Sequence, residues 1–241
     1  MSSLALARTV LRLDVVGSSA GGRGRQVHLD RALESVLDLA FAAVRDPRYP
    51  IGSGSYRRAD GDSATLVIDA CIAKAWIVAD FVLREIPIAL DEVNRAANAE
   101  HRLRLRIAID HGETVMNLPH VGGDPVVATA RLVDAPRFRQ ALADAPERDL
   151  GLIVSDRFHT DVVQRGERGL DRVGFRPIHV PARDFRRLGW LWVPPGEEQV
   201  LRRVRGVKPE TASVKIADAV RVFRAGVPDV VLGLVRSDDR D

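Results

Sequence analysis

Two carboxylates in this chain stand where carboxylates are chemically useful. Asp14 lies inside the apolar run of "RLDVVGSS", residues 12–19, directly before a turn rich in small residues. Asp62 lies in "DGDS", beside the Asp60-Gly61 pair that signals a tight hairpin. If the first strand and that hairpin are neighbours in one sheet, the two acids converge on a position suited to hard divalent cations. The turn Val16, Gly17, Ser18 and Ser19 then offers main-chain amides to phosphate oxygens. A pair of cations held this way clamps both ends of a phosphoryl transfer. The competing reading is ordinary turn chemistry, with Asp14 capping a turn and Asp62 serving as a hairpin residue. His111 and Glu113, in "DHGE", form an acid/base candidate, set against a turn-stabilising role. The six His residues show no metal-ligand spacing, and the single Cys71 excludes an internal disulfide and a thiolate zinc site.

Regular elements must position these groups. Thr9 to Val16 reads as a strand. Apolar residues at helical spacing from His28 to Val44 predict a helix ended by Pro47 and Pro50. "SYRRADGDSATLVID" reads as two strands around the Asp60-Gly61 turn. Lys74 to Asn98 reads as mostly helical with a break near Pro87. Leu103 to Asp110 alternates as a strand, and "HGETV" is expected to turn out of it. Val126 to Ala143 reads as a helix interrupted at Pro136, "LGLIVS" as a buried strand, and Asp156 to Arg165 as a short helix. "FRPIHV" and "GWLWVP" read as a hairpin, with Trp190 and Trp192 packing on a sheet face. This order predicts an α/β or α+β sandwich. "VPPGEE" marks a boundary, and Ser213 to Ala225 beyond it reads as an amphipathic helix that docks on the domain or on a partner protein.

The bulk properties narrow the function classes. The 241 residues suit one large domain, or one domain with an appendage. The chain is 46% hydrophobic and 29% charged, a globular profile. Its 36 basic residues against 33 acidic ones leave a net charge of +3, and only three of the basic residues are Lys. Interspersed charge with few aromatics argues against a nucleic-acid partner, while Arg suits phosphate. "RRVRGVK" reads as a solvated linker. No signal peptide and no membrane span is expected, and one cysteine fits a reducing cytoplasm.

Four segments, "RLDVVGSS", "RRADGDSATLVI", "LRLRIAIDHGETV" and "GGDPVVATARLVDAP", occur in the order found in the class III nucleotidyl cyclases. The chain resembles that family from about Arg8 to Pro194, leaving 195–241 as a C-terminal extension. The resemblance implies an α+β fold, a ferredoxin-like βαββαβ cyclase-type sandwich followed by a helical extension. It implies Mg²⁺ or Mn²⁺ in a two-metal site on Asp14, Asp62 and the Val15 backbone, with Val16 to Ser19 around the triphosphate. It also implies a homodimer with composite sites. Each site would take its carboxylates from one subunit, and Arg131 and Arg183 from the other. The reaction implied is attack of the ribose 3′-oxygen on the α-phosphate of a nucleoside triphosphate.

Several positions depart from the family pattern. Val127 falls where the family places a ribose-orienting Asn. Arg58 and His120, with Tyr56 nearby, fall where adenylyl cyclases read adenine with Lys and Asp. Ser63 replaces a usual glycine. The altered pair leaves room for UTP, CTP or GTP over ATP, as in the bacterial cyclases that make cyclic UMP or CMP in phage defence. The alternative is a cyclase-homology domain without turnover, acting as a nucleotide-binding or protein-interaction module.

Overall fold

A computed structural model describes residues 5–44, 48, 50–182 and 185–195. Arg183 and the expected helix at 213–225 lie outside the described residues. β1 (Ala5–Val15) is followed by α1 (Gly22–Ala43), β2 (Ser55–Asp60) and β3 (Ser63–Asp69). Next come α2 (Lys74–Trp76), a π-helical stretch (Ile77–Glu85) and α3 (Ile86–Asn94), which run on as one helix. β4 (Leu105–Asn117), β5 (His120–Gly122), α4 (Asp124–Val133), α5 (Pro136–Ala143) and β6 (Leu150–Ser155) complete the central part. α6 (Asp156–Phe158), a second π-helical stretch (His159–Val163), a 3₁₀ turn (Glu167–Arg172), β7 (Arg176–Ala182) and β8 (Phe185–Trp192) close it.

The strands form one sheet in the order β2-β3-β1-β4-β6-β8-β7, with β5 paired to β4. β4 and β6 are parallel, joined through α4 and α5, and the other pairs are antiparallel. This is the mixed α+β sandwich the sequence order implies. One face carries Leu11, Leu13, Leu66, Ile107, Ile109 and Leu152, and is covered by α1 and the long helix in the main core. On the other face a smaller core packs Leu132 and Phe138 of α4 and α5 on Ala108, Ile153 and Leu191. α4 packs mainly on β4 and β1, and α5 on β6 and β7. On the β2-β3 side of that second face polar residues stand beside Val67, which is 1% exposed. There Arg12 donates to Thr65 Oγ1 and Ser63 Oγ, both at 2.7 Å.

Two expectations are corrected here. "HGETV" does not turn: β4 runs straight through it, with Thr9, Arg8 and Ala7 of β1 opposite His111, Gly112 and Glu113. The glycine that reads as a turn signal answers a packing demand instead. A Cβ on Gly112 (φ +148) would sit 3.2 Å from the Pro125 ring and 3.3 Å from Arg157 Nη1. His111 and Glu113 are thus strand residues, and His111 Nε2 meets Asp161 at 3.0 Å. Nor does the helix break at Pro87. The Ile86 N–H reaches back five residues to the Phe81 carbonyl, so the register widens just before the proline that lacks a donor. Trp192 is buried and Trp190 is half-buried against the same core, as expected; Trp190 also stacks on His159 with ring centroids 3.6 Å apart and donates to Asp156 at 2.8 Å.

Candidate active site

β1 delivers Asp14 to the polar face, opposite Ser63 of β3 on one side and Arg106 of β4 on the other. Register therefore makes Arg106 a neighbour. Its Nε donates to Asp14 Oδ2 at 3.0 Å, and its Nη2 donates to the same oxygen. No hydrogen bond among the described residues falls on Oδ1. Burial pushes the Asp14 carboxyl above its ordinary value of 3.8. The Arg106 guanidinium opposes that shift, and the charges of Asp62 and Asp134 add to it. Asp62 is thus close enough to act on Asp14 through its charge. Ser18 donates its hydroxyl to Asp62 Oδ2, tying the loop to the hairpin.

The loop geometry is specific. The Val15 amide is used by the Asp62 carbonyl at 2.9 Å and the Val16 amide by the Arg104 carbonyl at 2.8 Å. Only the Val15 carbonyl can therefore serve a cation, and Val16 offers no amide to a phosphate. The Ala20 amide closes a turn on the Gly17 carbonyl at 3.2 Å. The amides of Gly17, Ser18 and Ser19 find no carbonyl partner among the described residues. Gly17 holds φ +69, a conformation that side chains rarely adopt.

Among the described residues no three His, Cys, Asp or Glu side chains gather as a metal-binding group. The donor set here is smaller: two mutually repelling carboxylates, an unbonded Asp14 Oδ1 and a carbonyl. That set fits a hard cation whose remaining positions are filled by phosphate oxygens and water.

α4 carries the next two candidates. Val127 and Arg131 lie four residues apart on its outward face, and Val127 is 48% exposed. Arg131 is exposed and makes no ion pair or hydrogen bond among the described residues. It is not among the charges acting on Asp14, although Asp134 from the end of the same helix is. Arg131 is thus a solvent-exposed cation of α4 with no carboxylate bonded to it among the described residues.

The base-reading candidates gather at the β2 edge. The Tyr56 hydroxyl donates to the Pro119 carbonyl at 3.3 Å, which sets it beside His120 at the tip of the β4–β5 hairpin. Arg58, two residues on, shares the face of Tyr56. Its Nε donates to Asp60 Oδ1 at 2.9 Å, and Arg12 approaches Asp60 Oδ2 at 3.7 Å. Asp60 opposes Ser63, which opposes Asp14. From Tyr56 to Asp60 the strand rises about 13 Å.

Sequence reading missed Arg106, Asp134 and Asp110. Strand pairing alone puts Arg106 on Asp14, and nothing local announces it. Asp110 is fully buried, held by the Arg157 fork, by the Ser155 hydroxyl at 2.5 Å and by the His111 amide at 2.8 Å. A lone acid inside "IAID" is its only trace in the sequence.

No family model matches the chain, and no curated protein does. Solved structures do. An adenylate/guanylate cyclase/hydrolase from Silicibacter pomeroyi is 20% identical, covers 80% of this chain and 100% of its own, and superposes with a TM-score of 0.52. The catalytic core of a rhodopsin-guanylyl cyclase with converted specificity, in complex with ATPαS, is 15% identical, covers 80% of this chain and 98% of its own, and has a TM-score of 0.52. Sheet order, helix placement and these superpositions agree: the chain has the fold of the class III adenylate/guanylate cyclase catalytic domains.

Proposed function

We propose that this protein is a nucleotidyl cyclase that converts a nucleoside triphosphate to a 3′,5′-cyclic nucleotide and pyrophosphate, acting as a second-messenger synthase. The observation that carries the reading is the meeting of Asp14, Asp62 and the Gly17-to-Ser19 amides at one end of a cyclase-type sheet. The 3′-oxygen bonds to the α-phosphorus, the bond from that phosphorus to the bridging oxygen breaks, and pyrophosphate leaves with the electron pair. The 3′-hydroxyl proton passes to water. Asp14 Oδ1, Asp62 and the Val15 carbonyl would hold Mg²⁺ or Mn²⁺, which supplies charge neutralisation at the phosphates. The loop amides bind β- and γ-phosphate oxygens. Arg131 stabilises the charge that builds on the α-phosphate and leaving group, joined by Arg183 in the role that the family resemblance implies for it.

The exposure of Arg131 on the outer face of α4 supports a homodimer in which each Arg131 serves the partner's carboxylates. Arg58, with His120 and Tyr56, reads the base. Its Nη groups donate in every protonation state and suit a carbonyl oxygen. UTP is the first choice, with CTP and GTP ahead of ATP. Incubation with an equimolar mixture of the four ribonucleoside triphosphates and Mn²⁺, with cyclic products resolved by mass, tests this. Cyclic UMP at least about tenfold above cyclic AMP is expected. A dominant cyclic AMP peak would remove the base assignment and leave the cyclase.

One observation favours a second reading. Val127, 48% exposed on the α4 face, offers no hydrogen bond where the family resemblance puts a ribose-orienting amide. A site that binds nucleotide without turning it over would make the chain a recruitment module.

A further inference from the structure

The phosphate-facing loop is gripped by a residue that no motif singles out. Arg25, in the first turns of α1, reaches back over the loop. Its Nη1 donates to the Gly17 carbonyl at 2.6 Å and to the Ala20 carbonyl at 2.8 Å. Its Nε donates to the Glu100 carbonyl at 2.8 Å, in the segment that leads to β4. One guanidinium thus gathers three carbonyls from two separate chain segments, a task for its rigid fork rather than for an ammonium. The loop is shaped to allow it. Gly21 (φ +87) passes under the Arg25 stem, where a Cβ would lie 2.5 Å from Arg25 Cδ.

The consequence concerns direction. In a trans peptide the carbonyl and the following N–H point to opposite sides. Fixing the Gly17 carbonyl on Arg25 turns the Ser18 N–H away from Arg25. That amide has no partner among the described residues, and the Ser18 hydroxyl on the same residue meets Asp62. Collecting the carbonyls also keeps their negative ends off the side where an anion would sit. We infer that Arg25 is a positioning residue that presents the amides of the Gly17-to-Ser19 loop to a polyphosphate. The nucleotide's identity rests on the cyclase reading, whereas the anion requirement does not.

The probe is inorganic tripolyphosphate with Mn²⁺, titrated calorimetrically into the full chain. Arg25→Gln is expected to weaken tripolyphosphate binding about tenfold, as for the loss of one charge-directed hydrogen bond. KM for the triphosphate should rise by a similar factor, with kcat within about twofold. Arg25→Lys should recover part of the affinity, and guanidinium in the millimolar range should restore Arg25→Ala. Unchanged tripolyphosphate affinity in Arg25→Gln or Arg25→Lys, no rescue of Arg25→Ala, or no binding by the unaltered protein would overturn the inference. If the unaltered protein binds tripolyphosphate but cyclises none of the four triphosphates, the cyclase reading falls and the Arg25 result still stands by itself.

Discussion

Asp14 is a carboxylate under opposing pressures. Burial and the charges of Asp62 and Asp134 favour its protonated form, while Arg106 favours the ion. A group raised in the folded protein carries a cost when ionised, and that cost is relieved as pH falls through the folded value toward 3.8. A bound cation competes with that same proton. Mn²⁺ affinity is therefore predicted to fall on acidification within a window above pH 3.8, where an ordinary Asp would still be ionised. Asp14→Asn should remove that step and weaken Mn²⁺ about a hundredfold, read by calorimetry across pH. A pH-independent Mn²⁺ affinity would contradict the assignment. Val127 makes the complementary case of a missing group. If the ribose lies along the α4 face, Val127→Asn supplies a hydrogen bond and should raise kcat/KM about tenfold, measured as cyclic product per unit time. Asp14 and Asp62 were legible because acids beside Gly and Ser stand out in apolar runs. Arg106 was not, because only strand register carries it to Asp14.

The strands and helices were mostly legible from their alternation and 3.6-residue spacing, and the errors share one cause. At Gly112 and Pro87 a residue that reads locally as a breaker answers a tertiary demand, from Pro125 and Arg157 in one case and from the widened helical register in the other. Gly123 is a third such position, and it sets the helix that carries Val127 and Arg131. A Cβ there would lie 2.4 Å from the Glu113 carbonyl oxygen, at φ +122. Gly123→Ala should therefore push α4 off β4, cost about 1–3 kcal/mol in chemical denaturation and lower turnover with it. The α6–β8 contact gives an acid-side prediction. Burial lowers the pKa values of His159, stacked on Trp190, and of His111. A histidine lowered in the folded state stabilises fully above its unfolded value of 6.5, and that stability is lost as pH falls through the folded value. The denaturation midpoint should fall between pH 7 and pH 5, and His159→Phe should flatten the slope.

At the scale of the molecule, the polar residues on the β2-β3 side of the sheet and the exposed Arg131 describe half a site. One subunit presents carboxylates and loop amides, and the same subunit presents a cation elsewhere. In the proposed homodimer, two-fold pairing would give each set the other's complement through an isologous interface. The order of four weak motifs made the fold readable. No local pattern carries the pairing itself, because it depends on which faces are left uncovered. Among the described residues no helix is long and apolar enough to cross a membrane. The most direct measurement mixes two inactive proteins. Asp14→Ala and Arg131→Ala, each dimeric by light scattering, are exchanged at equal concentration and assayed for cyclic nucleotide with Mn²⁺. Random exchange makes half of the dimers mixed, each with one intact site of two. The account predicts about a quarter of the unaltered activity from the mixture and none from either variant alone. No activity in a mixture whose dimers have demonstrably exchanged would contradict it.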